Sequence, residues 1–267
     1  MNIHPTAIVS PDAKLADDIV IGPGVIIGDR VEIGAGCELQ ARAVIESDTT
    51  IGSGNSIGYG AVIGAAPQDY AHSAAIRSTV VIGNNNRIRE YATIHRGTKE
   101  GTVTRIGSQC FLMVGVHVGH NCEISDGAII TNNVLLAGYV HVGENAVLGG
   151  GAVFHQFMRI GRRAMVAGGS RFNKDIPPYT IGDSYNKIHG INAIGLKRAG
   201  LDSARRIEIK RAFSLVYRSN KPFRAAAEEA LASEWSSEAR EFFEFILSSK
   251  RGVCGTGGPR GDAEETE

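Results

Sequence analysis

The sequence predicts an all-β solenoid, a parallel β-helix of hexapeptide repeats, followed by a small α-helical C-terminal domain. Three observations carry that expectation. An aliphatic residue recurs every six positions, glycine often follows it, and four places on sits a small or β-branched residue. A period of six fits neither the 3.6 of a helix nor a long alternating strand. It suits short β segments joined by tight corners, where glycine eases the backbone. Three hexads then close one triangular coil of 18 residues. Parallel neighbours stack at roughly 4.8 Å, and each coil buries its inward residues only against the next.

The first run reads Ile3, Val9, Leu15, Ile21, Ile27, Ile33, Leu39, Ile45, Ile51, Ile57 and Ile63. It resumes at Ile82, Ile88 and Ile94, then at Ile106, Leu112, Val118, Ile124, Ile130, Leu136, Val142, Leu148, Phe154, Ile160 and Val166. These 25 positions set the prism over residues 1–175. Ala7, Val25, Cys37, Ala61, Cys110 and Ala146 fill the second inward position. Three of the four cysteines (Cys37, Cys110 and Cys122) fall there, where a thiol acts as a compact hydrophobe. No C-x-x-C pair occurs.

The lattice is interrupted twice. GAAPQDYAHSAAIRSTVV marks a loop near 64–81, and HRGTKEGTVTR a second near 95–105. Loops on a rigid scaffold are where function concentrates. Past Val166, KDIPPYTIGD ends the prism, and 176–250 reads as helical. Asp202 and Ser203 are N-cap candidates, Pro222 suits the first turn of a second helix, and 237–248 carries a third. The end, 251–267, is glycine-rich then acidic; it is expected to be disordered and holds Cys254.

Composition narrows the function classes. Formal net charge is zero, which gives no steering toward polyanions. No stretch approaches the ~18 apolar residues of a membrane helix, and the repeat beginning at Ile3 leaves no room for a secretion signal. A cytoplasmic protein without membrane insertion is the expectation.

Within the lattice, residues 18 apart stack. His120 leads to Gly138 and then Gln156, while the flanking columns run Asn121, Tyr139, Phe157 and Gly119, Ala137, His155. Neither these histidines nor His117 is in the inward set. A glycine beside a histidine offers an unshielded N–H to an incoming carbonyl oxygen. An imidazole, with its ordinary pKa near 6.5, takes a proton from an attacking hydroxyl or amine. The pair fits acyl transfer without a covalent intermediate. Zinc held by three of His95, His117, His120, His141 and His155 is the competing reading. It needs ligands converging at ~2.0–2.1 Å, and it leaves Gly138 and Gln156 without a role. No metal and no cofactor are expected.

At these residues the chain resembles the UDP-N-acetylglucosamine O-acyltransferases of lipid A biosynthesis. The landmarks are QD at 68–69, RIRE at 87–90, TIHRGT at 93–98, VHVGHNC at 116–122, LAG at 136–138, HQF at 155–157, DIPPY at 175–179 and GLKR at 195–198. The resemblance covers almost the whole chain. It implies a left-handed β-helix, an exception to the usual right-handed crossover, and a homotrimer with active sites between subunits. It also implies transfer of a 3-hydroxyacyl chain from acyl carrier protein to the 3-position of the UDP-sugar.

By position, the resemblance makes His120 the general base and Gly138 the oxyanion donor. Asp69, His117, His155, Gln156, Asn192 and Arg198 become substrate contacts, and Gly168 the gauge of acyl length. The chain departs from the family at Ala71 (a lysine elsewhere), Tyr139 (a histidine), Asn121 (often an aspartate), Ile194 (a glutamate) and Ala199 (an arginine). These changes leave open a 3-amino sugar acceptor, which would give an amide. Residues 196–224 hold nine basic residues, Lys197, Arg198, Arg205, Arg206, Lys210, Arg211, Arg218, Lys221 and Arg224, against Asp202 and Glu208. They form the expected docking face for the acidic carrier, with Arg205, Arg206, Lys210 and Arg211 at its centre. No aromatic stacking platform accompanies them, so nucleic acid is not an expected partner.

Overall fold

A computed structural model describes residues 1–70 and 72–257. The lysine-to-alanine departure at Ala71, and residues 258–267 of the expected disordered tail, lie outside the described residues. Short strands, most of two residues, stack into three sheets of eleven, nine and eight members, and along the prism each strand pairs in parallel with the third strand after it. The result is a left-handed, three-sided parallel β-helix. In the two-residue strands the first residue faces out and the hexad aliphatic faces in, as in Leu135–Leu136 stacked on Val153–Phe154. Beyond the first coil the residues four places on, among them Cys37, Cys110 and Cys122, are also buried. Burial pushes the Cys110 thiol up to about 11 and Cys122 to about 12, so both remain protonated packing groups.

The corners follow one rule. The residue after the aliphatic donates its N–H to the next rung, as Gly119 N to Leu136 O at 2.9 Å. The third residue adopts a left-handed conformation, as Tyr139 does (φ 59°). It donates to the rung before, Tyr139 N to His120 O at 2.9 Å. The second residue's N–H is left with no backbone partner. Pro5, Pro11 and Pro23 occupy that position without losing a bond, and elsewhere a side chain caps it, as Asp126 caps Ser108 N at 2.7 Å.

The frequent glycine after the aliphatic therefore has a different reason from the corner relief expected of it. Its φ is ordinary, but a Cβ at Gly58 would lie 2.6 Å from the Glu90 nitrogen of the next rung.

Both interruptions leave the prism at one edge, between the second face (which carries His117–Val118) and the third (which carries Glu123–Ile124). The strands Val62–Ala65 and Thr79–Ile82 bracket the first loop, and Thr93–His95 and Val103–Ile106 the second. The loops thus run 66–78 and 96–102, slightly inside the expected spans.

Beyond the prism an antiparallel hairpin, Thr180–Asp183 with Lys187–Ile191, extends the first face. Four helices follow: α1 (Ala193–Arg198), α2 (Ser203–Tyr217), α3 (Phe223–Ala230) and α4 (Ser237–Leu247). Asp202 caps α2 as expected; the hairpin and the six-residue α1 were not foreseen. Arg159 ties prism to helices, donating to Phe245 O at 2.9 Å while pairing with buried Asp175 at 3.1 Å.

The expectation of disorder from residue 251 is corrected for 251–257. Val253 and Gly255 bridge to Asp175 and Lys187, and the buried Cys254 carbonyl accepts from Tyr217 Oη at 2.8 Å. Two small apolar side chains, Val253 and Cys254, are buried here, which a glycine-rich composition conceals.

Gly58→Ala is expected to destabilise the protein by about 1–3 kcal/mol, because the added methyl meets rigid backbone. Gln109→Gly, at a left-handed corner (φ 59°), should be neutral or stabilising by up to about 1 kcal/mol. Urea unfolding of the two variants checks the corner rule.

Candidate active site

The second-to-third-face edge brings the sequence-predicted residues His117, His120, Gly138 and Gln156 together. A cleft of about 280 Å³ opens there, walled by Gln68, His95, His117, His120, Gly138 and Gln156, with Leu135 and Val153 on its apolar side. His120, Gly138 and Gln156 are successive second-position corner residues. The Gly138 N–H therefore belongs to the unpaired class, and no side chain caps it among the described residues. The His120 ring lies against this glycine: an added Cβ would sit 2.5 Å from Nε2.

The tautomer of His120 follows from its neighbours. Thr98 N–H, from the second loop, donates to Asn121 Oδ1 at 3.1 Å, which fixes that atom as an acceptor. Thr98 Oγ1 donates to the same oxygen at 3.1 Å, and Tyr139 Oη donates to Thr98 Oγ1 at 3.1 Å. His120 Nδ1 lies 3.1 Å from Asn121 Oδ1 and must carry the proton. Nε2 is left with the lone pair, the form a base requires. Asn121 is itself only 8 % exposed, and its N–H donates to Thr104 Oγ1 at 2.7 Å. Tyr139 meets His120 edge-on at 5.3 Å and stacks on Phe157 at 4.7 Å.

His117 lies on the second face rather than at the corner, hydrogen-bonded to Thr93 Oγ1 at 2.8 Å. Burial, then the neighbouring His95 and His120, hold its pKa down at about 4. His95 was noted from the sequence only as a possible zinc ligand. It lines the cleft, donates Nδ1–H to Ala66 O at 2.6 Å and has its pKa lowered by burial. Gln68, also unassigned from sequence, comes from the first loop beside Asp69. The signal for both was their place next to the two interruptions. Among the described residues no group of three His, Cys, Asp or Glu side chains is placed to hold a metal ion.

Other sequence-derived site residues fall elsewhere on this chain. His155 is exposed beside the cleft, its Nδ1 3.2 Å from Gln156 O. Gly168 is exposed at the first-to-second-face edge, across the prism from His120. Asn192 is 8 % exposed; its Oδ1 caps α1 by accepting from Gly195 N at 3.0 Å, and its Nδ2 donates to Arg163 O at 3.0 Å. Arg198 is exposed at the end of α1. Among the basic residues of the expected docking face, Arg205 pairs with Glu238 at 2.8 Å and Arg211 rests over Trp235 at 5.1 Å. Arg206 reaches the Asp202 carbonyl at 3.3 Å, and Lys210 is exposed.

Relatives share this arrangement of rungs and helices. An acyl-[acyl-carrier-protein]–UDP-N-acetylglucosamine O-acyltransferase from Synechocystis sp. is 45% identical over 189 residues, 70% of this chain and 68% of its own. The chain belongs to the UDP-N-acetylglucosamine O-acyltransferase family. The member from Gloeothece citriformis is 43% identical, covering 74% of this chain and 71% of its own. The solved structure of the Francisella novicida UDP-N-acetylglucosamine acyltransferase superposes with a TM-score of 0.92 at 37% identity, over 99% of this chain and all of that one. The profile for "Udp N-acetylglucosamine O-acyltransferase; Domain 2" matches residues 175–254, and that for "Bacterial transferase hexapeptide (six repeats)" matches 30–65. These relatives are named as O-acyltransferases, so the amide-forming alternative is not favoured.

Because His117 titrates near 4 in the fold and near 6.5 unfolded, the unfolded chain binds the extra proton between those values. Stability is therefore expected to fall as pH drops from 6.5 toward 4 and to be unaffected by His117 above 6.5. Part of the ring stays open to water, which holds the loss to on the order of 2 kcal/mol. Urea midpoints of wild type and His117→Gln across that range should converge at low pH.

Proposed function

We propose that the chain transfers a 3-hydroxyacyl group from acyl carrier protein to the 3-hydroxyl of UDP-N-acetylglucosamine, an early step in lipid A biosynthesis. The observation that carries this reading is the column in which His120 Nε2, holding a lone pair, lies against Gly138, whose N–H has no other partner among the described residues. His120 takes the proton from the sugar hydroxyl as its oxygen attacks the thioester carbonyl. The Gly138 N–H donates to the developing oxyanion. As the tetrahedral intermediate collapses, the C–S bond breaks and the imidazolium returns the proton to the leaving thiolate. The ester stays on the sugar and His120 is neutral again. His117 is held neutral by burial, so it orients substrate through hydrogen bonds rather than as a cation.

We further propose a homotrimer. In one chain the cleft is open on one side, and the outward column of the second face runs Ile8, Ile26, Val44, Val62, Thr93, His117, Leu135 and Val153. The third face instead presents charge, with Lys14 against Glu32 and Glu123 against His141. An apolar stripe of that length calls for a partner surface, and the same contact would bring a neighbour's Gly168 edge within reach of a bound acyl chain.

Docking of the acidic carrier falls to α2. Arg205 is bound to Glu238, which leaves Arg206, Lys210, Arg211 and Arg218 without an ion pair among the described residues.

His120→Ala is expected to lower turnover by about 10²–10⁴ with the assembly and melting temperature nearly unchanged, whereas His117→Ala should lose more in substrate affinity than in turnover. Mass spectrometry of products from a panel of UDP-sugars should show an ester on UDP-N-acetylglucosamine; near-normal turnover by His120→Ala would place the base elsewhere. Reversing Arg206 and Lys210 to glutamate should raise the KM for the carrier-bound donor, most strongly at low salt. An unchanged KM at low salt removes the docking assignment.

A further inference from the structure

Arg163 stands at the corner where the third face turns into the first, in a left-handed conformation (φ 53°) that is costly for a long side chain. Its backbone is pinned on both sides. The N–H donates to Glu144 O at 2.9 Å, and the carbonyl accepts from Asn192 Nδ2 at 3.0 Å. The side chain lines a crevice of about 280 Å³ between the prism and the α1–α2 turn, together with Arg162, Tyr179, Leu201, Asp202 and Arg205.

Two of the Arg163 guanidinium nitrogens, Nε and Nη1, are shut off from solvent and have no partner among the described residues. A buried charged donor without an acceptor is unfavourable. The carboxylates nearby are already engaged. Glu238 pairs with Arg205 at 2.8 Å, Asp202 caps α2 through Arg205 N at 2.9 Å, and Glu144 meets Arg162 at 3.3 Å. Glu241 accepts from the Tyr179 hydroxyl. An anion with several oxygens is the ligand a guanidinium fork matches.

We infer that Arg163, with Arg162 beside it, forms a phosphate-binding subsite that holds a phosphate group of one of the substrates. This rests on the proposed use of a UDP-sugar and a carrier-bound donor. Two sources share the chemistry: the diphosphate of the nucleotide sugar and the phosphodiester of the carrier's prosthetic arm. The Arg163 backbone is fixed to the prism, so the subsite keeps its place while the guanidinium, whose Nε and Nη1 are shut off from solvent, turns to meet the phosphate.

The test compares wild type with Arg163→Gln and Arg163→Lys. Calorimetric titration with UDP and with uridine is expected to show UDP affinity down about tenfold in the glutamine variant and uridine unchanged. Lysine should restore it in part, and the KM for the UDP-sugar should rise more than turnover falls. A rise confined to the KM for the carrier-bound donor would also support the subsite and would assign the phosphate to the carrier. Melting of the wild-type protein in millimolar pyrophosphate gives a readout independent of how the variants fold; a raised melting temperature is expected, and no shift overturns the subsite. A wild-type protein that transfers no acyl group sinks the proposed function instead. Wild-type transfer with both KM values and UDP affinity unchanged in the two variants sinks this inference alone.

Discussion

The structure depends on how one corner stacks on the next. The third corner residue takes the left-handed conformation and donates back to the rung before, and the second residue's N–H is left over. That surplus donor recurs along the whole prism. The N-terminal corners absorb it with prolines, and Asp126 caps one at Ser108. At Gly138 nothing absorbs it, and the residue one rung below is His120. A donor the fold leaves unpaired among the described residues thus stands beside an imidazole, with no special loop needed to expose it.

What surrounds the His120 ring decides which of its nitrogens keeps the lone pair. The amide hydrogen of Thr98 cannot be reversed, so Asn121 Oδ1 is an acceptor and His120 Nδ1 a donor. An aspartate at 121 would fix the same tautomer and add a charge; asparagine fixes it without one. The second loop therefore contributes more than a wall, since Thr98 sets the orientation from outside the prism. His95 and His117 are both held toward their neutral forms by burial, which keeps cationic charge away from the His120 ring.

Much of this was legible in the sequence. A six-residue period fixes columns, and columns alone bring His120, Gly138 and Gln156 together. The period does not say what projecting loops cover, so His95 and Gln68 were not recognised as parts of the cleft. Nor does it show hydrogen bonds between residues far apart in sequence, such as Thr98 with Tyr139. The bonds that Asn192 and Arg205 make within the fold, a helix cap and an interhelical ion pair, join residues that no sequence period relates. Cys254 read as part of a tail because its neighbours are glycines, yet it fills a gap against α2.

The account stands on His120 presenting an unprotonated Nε2 toward the Gly138 N–H, and the ring itself reports that state. Nitrogen-15 NMR of histidine-labelled protein in alkaline buffer, with His120 assigned by loss of its signals in His120→Gln, reads the tautomer directly. The expected spectrum has a protonated Nδ1, coupled to its hydrogen and held by Asn121, and a bare Nε2. A His120 ring protonated on Nε2, or exchanging freely between the two forms, would contradict it.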